Sequence, residues 1–180
     1  SVGGAGYVHG GGPFRRVMGG VLDVSGFKKD HYYLYQSQWT RKQMIHMLPH
    51  WTHPGLAPGE PVPVWVYTTG DTVELFFNGR SLGRRHRGER WDEMQCEWMV
   101  PWKEGVLEAV AYAGGREIAR TRQQTAGAPA ALRLEIRDAS LTGSPEDLHI
   151  VDIAQVDRRG VIYPYGENRG HWALVGDGAA

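Results

Sequence analysis

The chain has 180 residues, of which 41% are hydrophobic and 22% charged, the balance of a globular protein and not of a disordered one. Lys plus Arg and Asp plus Glu number 20 each, so no net charge draws the chain to nucleic acid, and no apolar run approaches the roughly 20 residues of a membrane span. Cys96 is the single cysteine, which excludes an intrachain disulfide and a cysteine metal cluster.

The first part of the chain is predicted to be a loop followed by a helix. Glycines interrupt residues 1–20 too often for a regular element. Asp30 stands where a helix N-cap belongs, directly ahead of an aromatic run. Within that run Tyr32, Tyr35 and Trp39 recur at helical spacing, which predicts an aromatic helix face. We predict that this face packs as core and does not line a sugar cleft, because large aromatic side chains dominate burial.

A proline-rich stretch separates this helix from a series of short strands. Residues 52–63 contain four prolines and two glycines, which predicts a linker and a domain boundary. Beyond it, Val62, Val64 and Val66 recur with the period of two that is typical of a half-buried strand. Further strands are predicted at Thr72–Phe77, Arg80–Arg84, Gln95–Val100, Val106–Tyr112 and Glu117–Thr121.

The turn residues between these strands indicate tight hairpins. Asn78-Gly79 is the pair that best tolerates positive φ at both centres of a two-residue turn. Gly114-Gly115 stands between the last two predicted strands in the same way. Short strands with close turns predict a mainly β fold with an immunoglobulin-like β-sandwich that ends near Thr125–Gly127.

A second β pattern follows. Leu132, Leu134 and Ile136 alternate, and apolar residues recur at Leu148, Ile150 and Ile153, at Val161–Tyr163 and at Trp172–Val175. Only about 50 residues remain, which is half of the roughly 100 residues of a complete sandwich. The sequence therefore predicts a half-sandwich with an uncovered apolar face.

An ordered set of segments resembles a known enzyme family. The set consists of Gly20–Asp30, Tyr32–Trp39, His46–Trp51, Val64–Tyr67, Val73–Gly83, Thr125–Pro129, Asp147-Leu148, Val156–Gly160 and Pro164. In this order and spacing it resembles the C-terminal region of bacterial β-galactosidase-like enzymes of glycoside hydrolase family 2. The resemblance covers roughly residues 17–176.

The resemblance implies a domain organisation. Members of the family have a (β/α)8 barrel that is followed by immunoglobulin-like domains. Residues 1–55 would then be the C-terminal end of the barrel, with its last loop and its last helix at residues 30 to about 45. Residues 60–127 would be an immunoglobulin-like β-sandwich, and residues 129–180 a truncated second one. We expect the chain to be a C-terminal fragment of a longer enzyme.

The chemistry that the resemblance implies is retaining hydrolysis of a β-glycoside. One glutamic acid protonates the leaving oxygen, and a second glutamate attacks the anomeric carbon before water releases the sugar. Both glutamates lie on earlier barrel strands in this family, and no glutamate precedes Glu60 here. We therefore predict no catalytic, cofactor-binding or metal-binding residue in the chain, and an inactive fragment of an active parent.

The substrate and partners are also inferred from the resemblance. β-Glucuronidases of the family carry an Asn-x-Lys pair ahead of the glycine that matches Gly20, whereas this chain has Val17-Met18-Gly19. Because no lysine is present to bind a uronate carboxylate, a neutral sugar such as galactose is favoured. Lys28 replaces a proline that is usual in relatives. We expect a carbohydrate substrate for the parent, a bacterial cytoplasmic or periplasmic location, and room for a homo-oligomer formed through the β-sandwich domains.

Two polar clusters allow a functional and a structural interpretation. His46, His50 and His53 could bind a metal ion, but Pro49 and Pro54 interrupt the backbone and no carboxylate lies within the run. Hydrogen bonding of His46 and His50 at a barrel-to-sandwich seam is therefore favoured. The basic run Arg84–Arg87 with Arg90 could bind phosphate, but neighbouring acidic residues favour a solvated loop.

The remaining sequence features indicate function only weakly. Gly10–Gly12 lacks the Gly-Lys-Ser/Thr ending of a phosphate loop. Asp23 and Lys29 are weak candidates for substrate contact, because their loop would overhang the active-site mouth. The alternative function is a non-catalytic module, a β-sandwich that binds carbohydrate or supports the barrel.

Overall fold

The computed structural model describes residues 20–22, 27–88, 94–136 and 151–166. The chain forms two compact units, the first made of residues 1–49 and 57–123 and the second of residues 50–56 and 124–180. In these described stretches, no helix is both long and apolar enough to cross a membrane.

The first unit is a β-sandwich with one helix. Helix α1 spans Asp30–Trp39. The strands are β1 (Ile45–Leu48), β2 (Pro61–Thr68), β3 (Thr72–Phe77), β4 (Arg80–His86), β5 (Cys96–Pro101), β6 (Val106–Ala113) and β7 (Arg116–Gln124). They form a three-stranded sheet in the order β1-β2-β5 and a four-stranded sheet in the order β4-β3-β6-β7. This arrangement confirms the predicted mainly β, sandwich-type fold.

The core of this sandwich comes from alternating positions on its strands. Val62, Val64 and Val66 of β2 are 5%, 0% and 0% exposed, as the period of two predicts. Val73 and Leu75 of β3 are fully buried as well. Burial of each such side chain contributes roughly 1.5–3 kcal/mol, so these strands account for much of the stability of the unit.

Both predicted hairpin turns are present. Asn78 and Gly79 have φ values of 48° and 79°, the left-handed conformation that this pair tolerates. The Asn78 backbone N–H donates to the carbonyl of Val106, and its Oδ1 accepts from the Val106 N–H, both at 2.8 Å. Gly114 and Gly115 also have positive φ, at 55° and 79°, between β6 and β7. The side-chain bond to Val106 adds a tertiary contact to the first turn.

The second unit contains an antiparallel pair of strands, β8 (Ala131–Ile136) and β9 (Val151–Val156). Three residues of β8 on one face are more than half exposed, namely Leu132, Leu134 and Ile136. The predicted uncovered apolar face is therefore confirmed for these strands. The predicted strand residues Leu148, Ile150 and Trp172–Val175 lie outside the described part of the chain.

The buried carboxylate of Asp157 holds several backbone segments of the second unit together. Its carboxylate accepts backbone N–H bonds from Gly127 at 2.9 Å, Arg159 at 2.8 Å and Val161 at 2.9 Å, and it also pairs with the Arg159 guanidinium. The bond from Gly127 is the first of several that hold the pKa of Asp157 far below its ordinary value. Asp157 thus links the segment before β8 to the turn after β9.

The structure corrects the predicted helix. Helix α1 ends at Trp39 and not near residue 45, and residues 45–48 form β1, which pairs with β2. Asp30 is the first helical residue, Lys29 occupies the N-cap, and no side chain caps the helix. The Asp30 carboxylate binds His46 instead, so a tertiary contact replaces the expected local one.

Within the described residues, the aromatic helix face is left uncovered at two of its three positions. Trp39 is 81% exposed and Tyr35 is 43% exposed, and their rings stack on each other with centroids 4.9 Å apart. The buried residue of the helix is Ser37, at 3% exposure. The helix therefore packs through a more polar side and leaves aromatic surface in solvent, which spacing alone does not reveal.

Candidate functional site

The start of α1 and the β1-β2 strands form the most polar junction of the first unit. His46 Nε2 lies 2.9 Å from Asp30 Oδ1, where the ring N–H can donate to the carboxylate. Tyr33, one helical turn after Asp30, stacks on the His46 ring with centroids 3.8 Å apart and planes 10° apart. The side chain of Asp30 is 57% exposed and that of His46 is 24% exposed. The helix is thus attached to β1 by a hydrogen bond and a ring stack.

The electrostatics of this junction favour an ionised carboxylate. The hydrogen bond from His46 is the largest cause that holds the pKa of Asp30 below its ordinary value. Burial raises the pKa of Tyr67 on β2, and the nearby charge of Asp30 adds to that effect. Asp30 is therefore a poor proton donor near neutral pH, and Tyr67 is a poor base.

An open cleft lies beside this junction. Its helical side is formed by Lys28, Lys29, Asp30 and His31, and its sheet side by Leu48, Trp65 and Tyr67. The ammonium of Lys28 sits 4.7 Å from the centre of the Tyr32 ring, a cation–π contact. The cleft combines aromatic surface with charged groups, so it can bind a polar ligand by stacking and hydrogen bonds. It presents no nucleophile with an adjacent base.

Of the two residues predicted as weak substrate contacts, one can be placed. Lys29 lines the cleft, and its backbone N–H donates to the carbonyl of Val21 at 2.9 Å. Asp23 lies outside the described residues, as do Gly10–Gly12 and Val17–Gly19. Lys28 and Leu22 form an isolated antiparallel β-bridge. This backbone pairing accommodates the lysine that replaces the proline usual in relatives.

The three histidines have different surroundings. His46 belongs to the first unit and binds Asp30, which confirms hydrogen bonding for this residue. His50 and His53 belong to the second unit, where their ring centroids are 5.0 Å apart. The Thr52 backbone N–H donates to His50 Nδ1 at 3.3 Å. Across the described stretches, no group of three or more His, Cys, Asp or Glu side chains converges in a way that could bind a metal ion.

Burial disfavours the charged form of both histidines in the second unit. Burial is the largest cause that lowers the pKa of His50 and of His53, and the charge of His50 lowers the pKa of His53 further. The edge of the Tyr165 ring packs on His50 with centroids 5.2 Å apart, and the Trp51 ring packs edge-on against His53 at 6.0 Å. Aromatic rings therefore contact both histidines, while the buried Nε2 of His53 has no hydrogen-bond partner among the described residues.

The basic run was predicted to be a loop, but Arg84–His86 lie on a strand and only Arg87 of its described residues follows that strand. Arg84 and Arg85 lie on β4, an edge strand whose residues are all exposed. Arg84 Nε donates to Glu74 at 2.8 Å, and the Arg84 guanidinium lies 4.5 Å from the centre of the Tyr112 ring. These pairings make Arg84 part of a solvated sheet face. Arg90 and its acidic neighbours lie outside the described residues.

Arg87 has a structural role that sequence reasoning missed. Its guanidinium donates to the carbonyl of Ser37 on α1 at 3.2 Å and to the carbonyl of Thr68 on β2 at 3.1 Å. Arg87 thus attaches the C-terminal half of the helix to the sheet, while His46 attaches its start. The only sequence signal was a charged residue inside the basic run, and such a residue does not identify carbonyl partners at long range.

The described carboxylates do not resemble a glycosidase pair. A hydrogen bond from Ser81 is the largest cause that lowers the pKa of Glu74, and a bond from Arg120 does the same for Glu117. A general acid needs a raised pKa, so these residues are poor candidates for that role. Cys96 is no better as a nucleophile, because burial raises the pKa of its thiol to about 11.

Comparison with curated proteins reveals glycosidase relatives. A family model described as a domain of unknown function, DUF4982, matches residues 59–119. The chain is 55% identical to the protein named "Putative beta-glucuronidase" of Formosa agariphila, over 96% of this chain and 17% of the relative. It is 36% identical to β-galactosidase BoGH2A of Bacteroides ovatus, over 93% of this chain and 19% of that protein. The chain thus spans less than a fifth of the length of these relatives.

Solved structures give the same result. A β-glycosidase from Bacteroides vulgatus matches with a TM-score of 0.74 and 38% identity, over 81% of this chain and 18% of that one. A glycosyl hydrolase family 2 member from Bacteroides cellulosilyticus matches with a TM-score of 0.69 and 28% identity, over 79% of this chain and 22% of that one. The chain is therefore a relative of the family 2 glycoside hydrolases that matches part of their length.

Proposed function

We propose that the chain is a C-terminal part of a retaining glycoside hydrolase that cleaves terminal β-galactosides or similar neutral β-glycosides. The observation that carries this proposal is the match of almost the whole chain to a small part of much longer glycosidases. In the parent enzyme, one carboxylic acid protonates the leaving oxygen and a second carboxylate attacks the anomeric carbon. Both groups lie outside these 180 residues in our proposal.

The proposed division has a barrel end at residues 1–55, a sandwich at residues 60–127 and part of a second sandwich at residues 129–180. The exposed ring pair of Tyr35 and Trp39 on α1 supports a further packing partner for the helix, because exposed aromatic surface marks interaction sites. In this proposal the partner is the barrel. Strand β1, within the proposed barrel end, pairs with β2 and would serve as the connection between domains.

We propose that the chain is inactive by itself, and the surroundings of two of its carboxylates support this. Retaining glycosidases need two carboxyl groups about 5–5.5 Å apart, one of them with a raised pKa. Glu74 instead accepts bonds from Ser81 and Arg84, and Glu117 binds Arg120. Their pKa values are lowered, which supports structural roles for both.

A glucuronide is the second candidate substrate for the parent. The Formosa agariphila relative, at 55% identity, carries a glucuronidase name, and this observation favours a uronate. The absence of lysine at Val17-Met18-Gly19 favours a neutral sugar, and so does the name of the Bacteroides ovatus relative. A pocket for a uronate needs a cation for its carboxylate, so we retain the neutral sugar as the first proposal.

The experiment that tests the proposal starts from the gene. Sequencing upstream of the codon for Ser1 should reveal a barrel with a glutamate at the ends of two late strands. The full-length product is then assayed with the p-nitrophenyl β-galactoside and β-glucuronide in parallel. Turnover of the galactoside supports the first proposal, and turnover of the glucuronide alone replaces it with the second. A gene without a barrel would refute both and leave a non-catalytic module.

A further inference from the structure

The segment that leads into α1 is continuous with the helix. We call it the entry segment, and it comprises residues 20–22 and 27–29. Its two parts pair with each other, because the Lys29 backbone N–H donates to the Val21 carbonyl at 2.9 Å. Lys28 and Leu22 form an antiparallel bridge beside this bond. Lys29 is also the N-cap of α1, and its carbonyl accepts the Tyr32 N–H at 2.9 Å. A displacement of α1 therefore displaces the entry segment.

An open cleft lies between the entry segment and the sandwich. Lys28 and Lys29 line its helical side, and Trp65 and Tyr67 of β2 line its sheet side. Because the cleft is open there, the contacts of α1 with the strands set the distance between the two sides. The groups that hold the helix on the sheet thus also hold the entry segment in place relative to β2.

Contacts near both ends fix α1 on the sheet. At its start, Asp30 Oδ1 lies 2.9 Å from His46 Nε2 on β1. In its last turn, where carbonyls lack partners within the helix, the Ser37 carbonyl accepts a bond from the Arg87 guanidinium at 3.2 Å. The same guanidinium donates to the Thr68 carbonyl of β2 at 3.1 Å. A cation is also favoured at the C-terminal end of a helix, so Arg87 bridges α1 and β2 directly.

We infer that Arg87 is a positioning residue for substrate binding in the parent enzyme and acts through α1 on the entry segment. This role rests on the proposed function, in which α1 is the last helix of a (β/α)8 barrel. The segment that precedes a helix in such a barrel is a βα loop, and the active sites of these barrels are built from βα loops. The entry segment then lies at the mouth of the active site, and the sandwich fixes it there through Arg87.

The entry segment contributes binding and not chemistry. Residues 20–29 contain no glutamate, and the proposed function places both catalytic carboxylates outside the chain. Loss of a contact that substrate and transition state share raises KM and leaves kcat unchanged. Loss of folded protein has the opposite signature, because it lowers the apparent kcat at constant KM. Kinetics therefore separate a positioning role from a purely structural one.

The test compares variants of the full-length product with p-nitrophenyl β-galactoside, or with the β-glucuronide if that is the one hydrolysed. Arg87→Gln should raise KM roughly 3- to 10-fold, with kcat within about twofold. Arg87→Lys keeps a cation that can donate to a carbonyl and should restore most of the lost affinity. Arg84→Gln is the matched control, because Arg84 lies on β4 and binds Glu74. An unchanged KM in Arg87→Gln would overturn the inference, as would a fall in kcat alone or an equal effect of Arg84→Gln.

Hydrogen exchange at the Lys29 backbone N–H separates failure of this role from failure of the proposed function. In the full-length product, Arg87→Gln should speed exchange in the peptide that contains Lys29, and Arg84→Gln should not. Unchanged exchange would overturn the inference whatever the substrate. Faster exchange in a protein whose unsubstituted form hydrolyses neither glycoside would overturn the proposed function, while the coupling of Arg87 to the entry segment stands.

His46→Gln covers the case in which Arg87→Gln does not fold. It removes the ring that stacks on Tyr33 and contacts Asp30, so it loosens the start of α1 from β1. The expected result is a rise in KM in the same direction and faster exchange at Lys29. A folded His46→Gln protein with unchanged KM and unchanged exchange would overturn the inference.

Discussion

His46 on β1 and Asp30 at the start of α1 are joined by a 2.9 Å bond between Nε2 and Oδ1, across 15 intervening residues. The bond fixes the helix on the sheet at the point where the sequence predicts only a local cap. The Asp30 side chain is more than half exposed, so we expect the pair to contribute no more than a surface salt bridge does.

A double-mutant cycle tests this attachment. We expect Asp30→Ala and His46→Ala each to lower the free energy of unfolding, with a coupling energy of about 0.5 kcal/mol between them. Denaturant unfolding of the four proteins measures it. Asp30→Ala combined with Arg116→Ala is the control, because Arg116 is exposed at the start of β7 and should show no coupling of this size. Additive effects for Asp30 and His46 would contradict the attachment.

The same pair predicts a dependence on acid. The pKa of Asp30 is lower in the folded chain than its ordinary value of 3.8. A lowered carboxyl pKa contributes stability above pH 3.8, and this contribution is lost as the pH falls through the lower folded-state value. The coupling energy should therefore be present at pH 7 and decline below pH 3.8.

The Asn78-Gly79 turn predicts a cost for added side-chain bulk. Gly79 has a φ of 79° with open space around its Cα, so Gly79→Ala suffers backbone strain and no clash. We expect a loss of about 1 kcal/mol in the free energy of unfolding. Gly55→Ala is the matched control, because Gly55 also faces open space and has no positive φ. Equal stability of the two variants would show that the turn is not strained.

Features that adjacent residues determine were predictable from the sequence, whereas features that depend on long-range contacts were not. The Asn78-Gly79 turn was predictable because adjacent residues decide it. The alternation of Val62, Val64 and Val66 was predictable for the same reason. The end of α1 at Trp39 was not, because residues 45–48 gain a ladder of hydrogen bonds with β2 that no local propensity encodes.

The candidate site was less accessible to prediction than the fold. The partner of His46 depends on the docking of a helix, and the partners of Arg87 are carbonyls 50 and 19 residues away in the sequence. The family resemblance gave the glycosidase relationship, because an ordered set of segments carries more information than any one of them. The exposure of Trp39 depends on what packs against the helix, and the sequence pattern does not identify that packing partner.

Two tryptophans provide a prediction on burial. Trp51 is fully buried, whereas Trp39 is 81% exposed. Trp51→Ala should lower the free energy of unfolding by about 3–5 kcal/mol, because it leaves a cavity. Trp39→Ala should change it by about 0.5 kcal/mol or less. Denaturant titrations followed by circular dichroism compare them, and a large cost for Trp39→Ala would mean that its ring is covered in solution.

The histidine pair predicts loss of stability in mild acid. Burial lowers the pKa values of His50 and His53 below the ordinary 6.5, so the unfolded chain takes up protons at a higher pH than the folded chain. The contribution of these two histidines to stability is therefore fully present above pH 6.5, and it is lost as the pH falls below that value.

Replacement of both histidines tests this dependence. The double variant His50→Gln/His53→Gln should flatten the fall in the denaturation midpoint below pH 6.5, whatever its stability at neutral pH. His31→Gln, at an exposed position of α1, is the matched control and should retain the fall. An unchanged slope in the double variant would assign the acid response to other groups.

Titration with sugars separates the enzyme fragment from a binding module. We expect no saturable change in tryptophan fluorescence with galactose, lactose or longer β-linked oligosaccharides. In the cleft beside α1, Asp30 is bound to His46 and Tyr67 is buried, so these two polar groups are less available to a sugar. The same protein should not hydrolyse a chromogenic β-galactoside, because we place both catalytic carboxylates outside these residues, and Glu74 and Glu117 within them bind arginines. A saturable change that Trp65→Phe abolishes would instead identify the cleft as a carbohydrate-binding site. Turnover that survives repurification and follows the protein peak would contradict the placement of both catalytic carboxylates outside these residues.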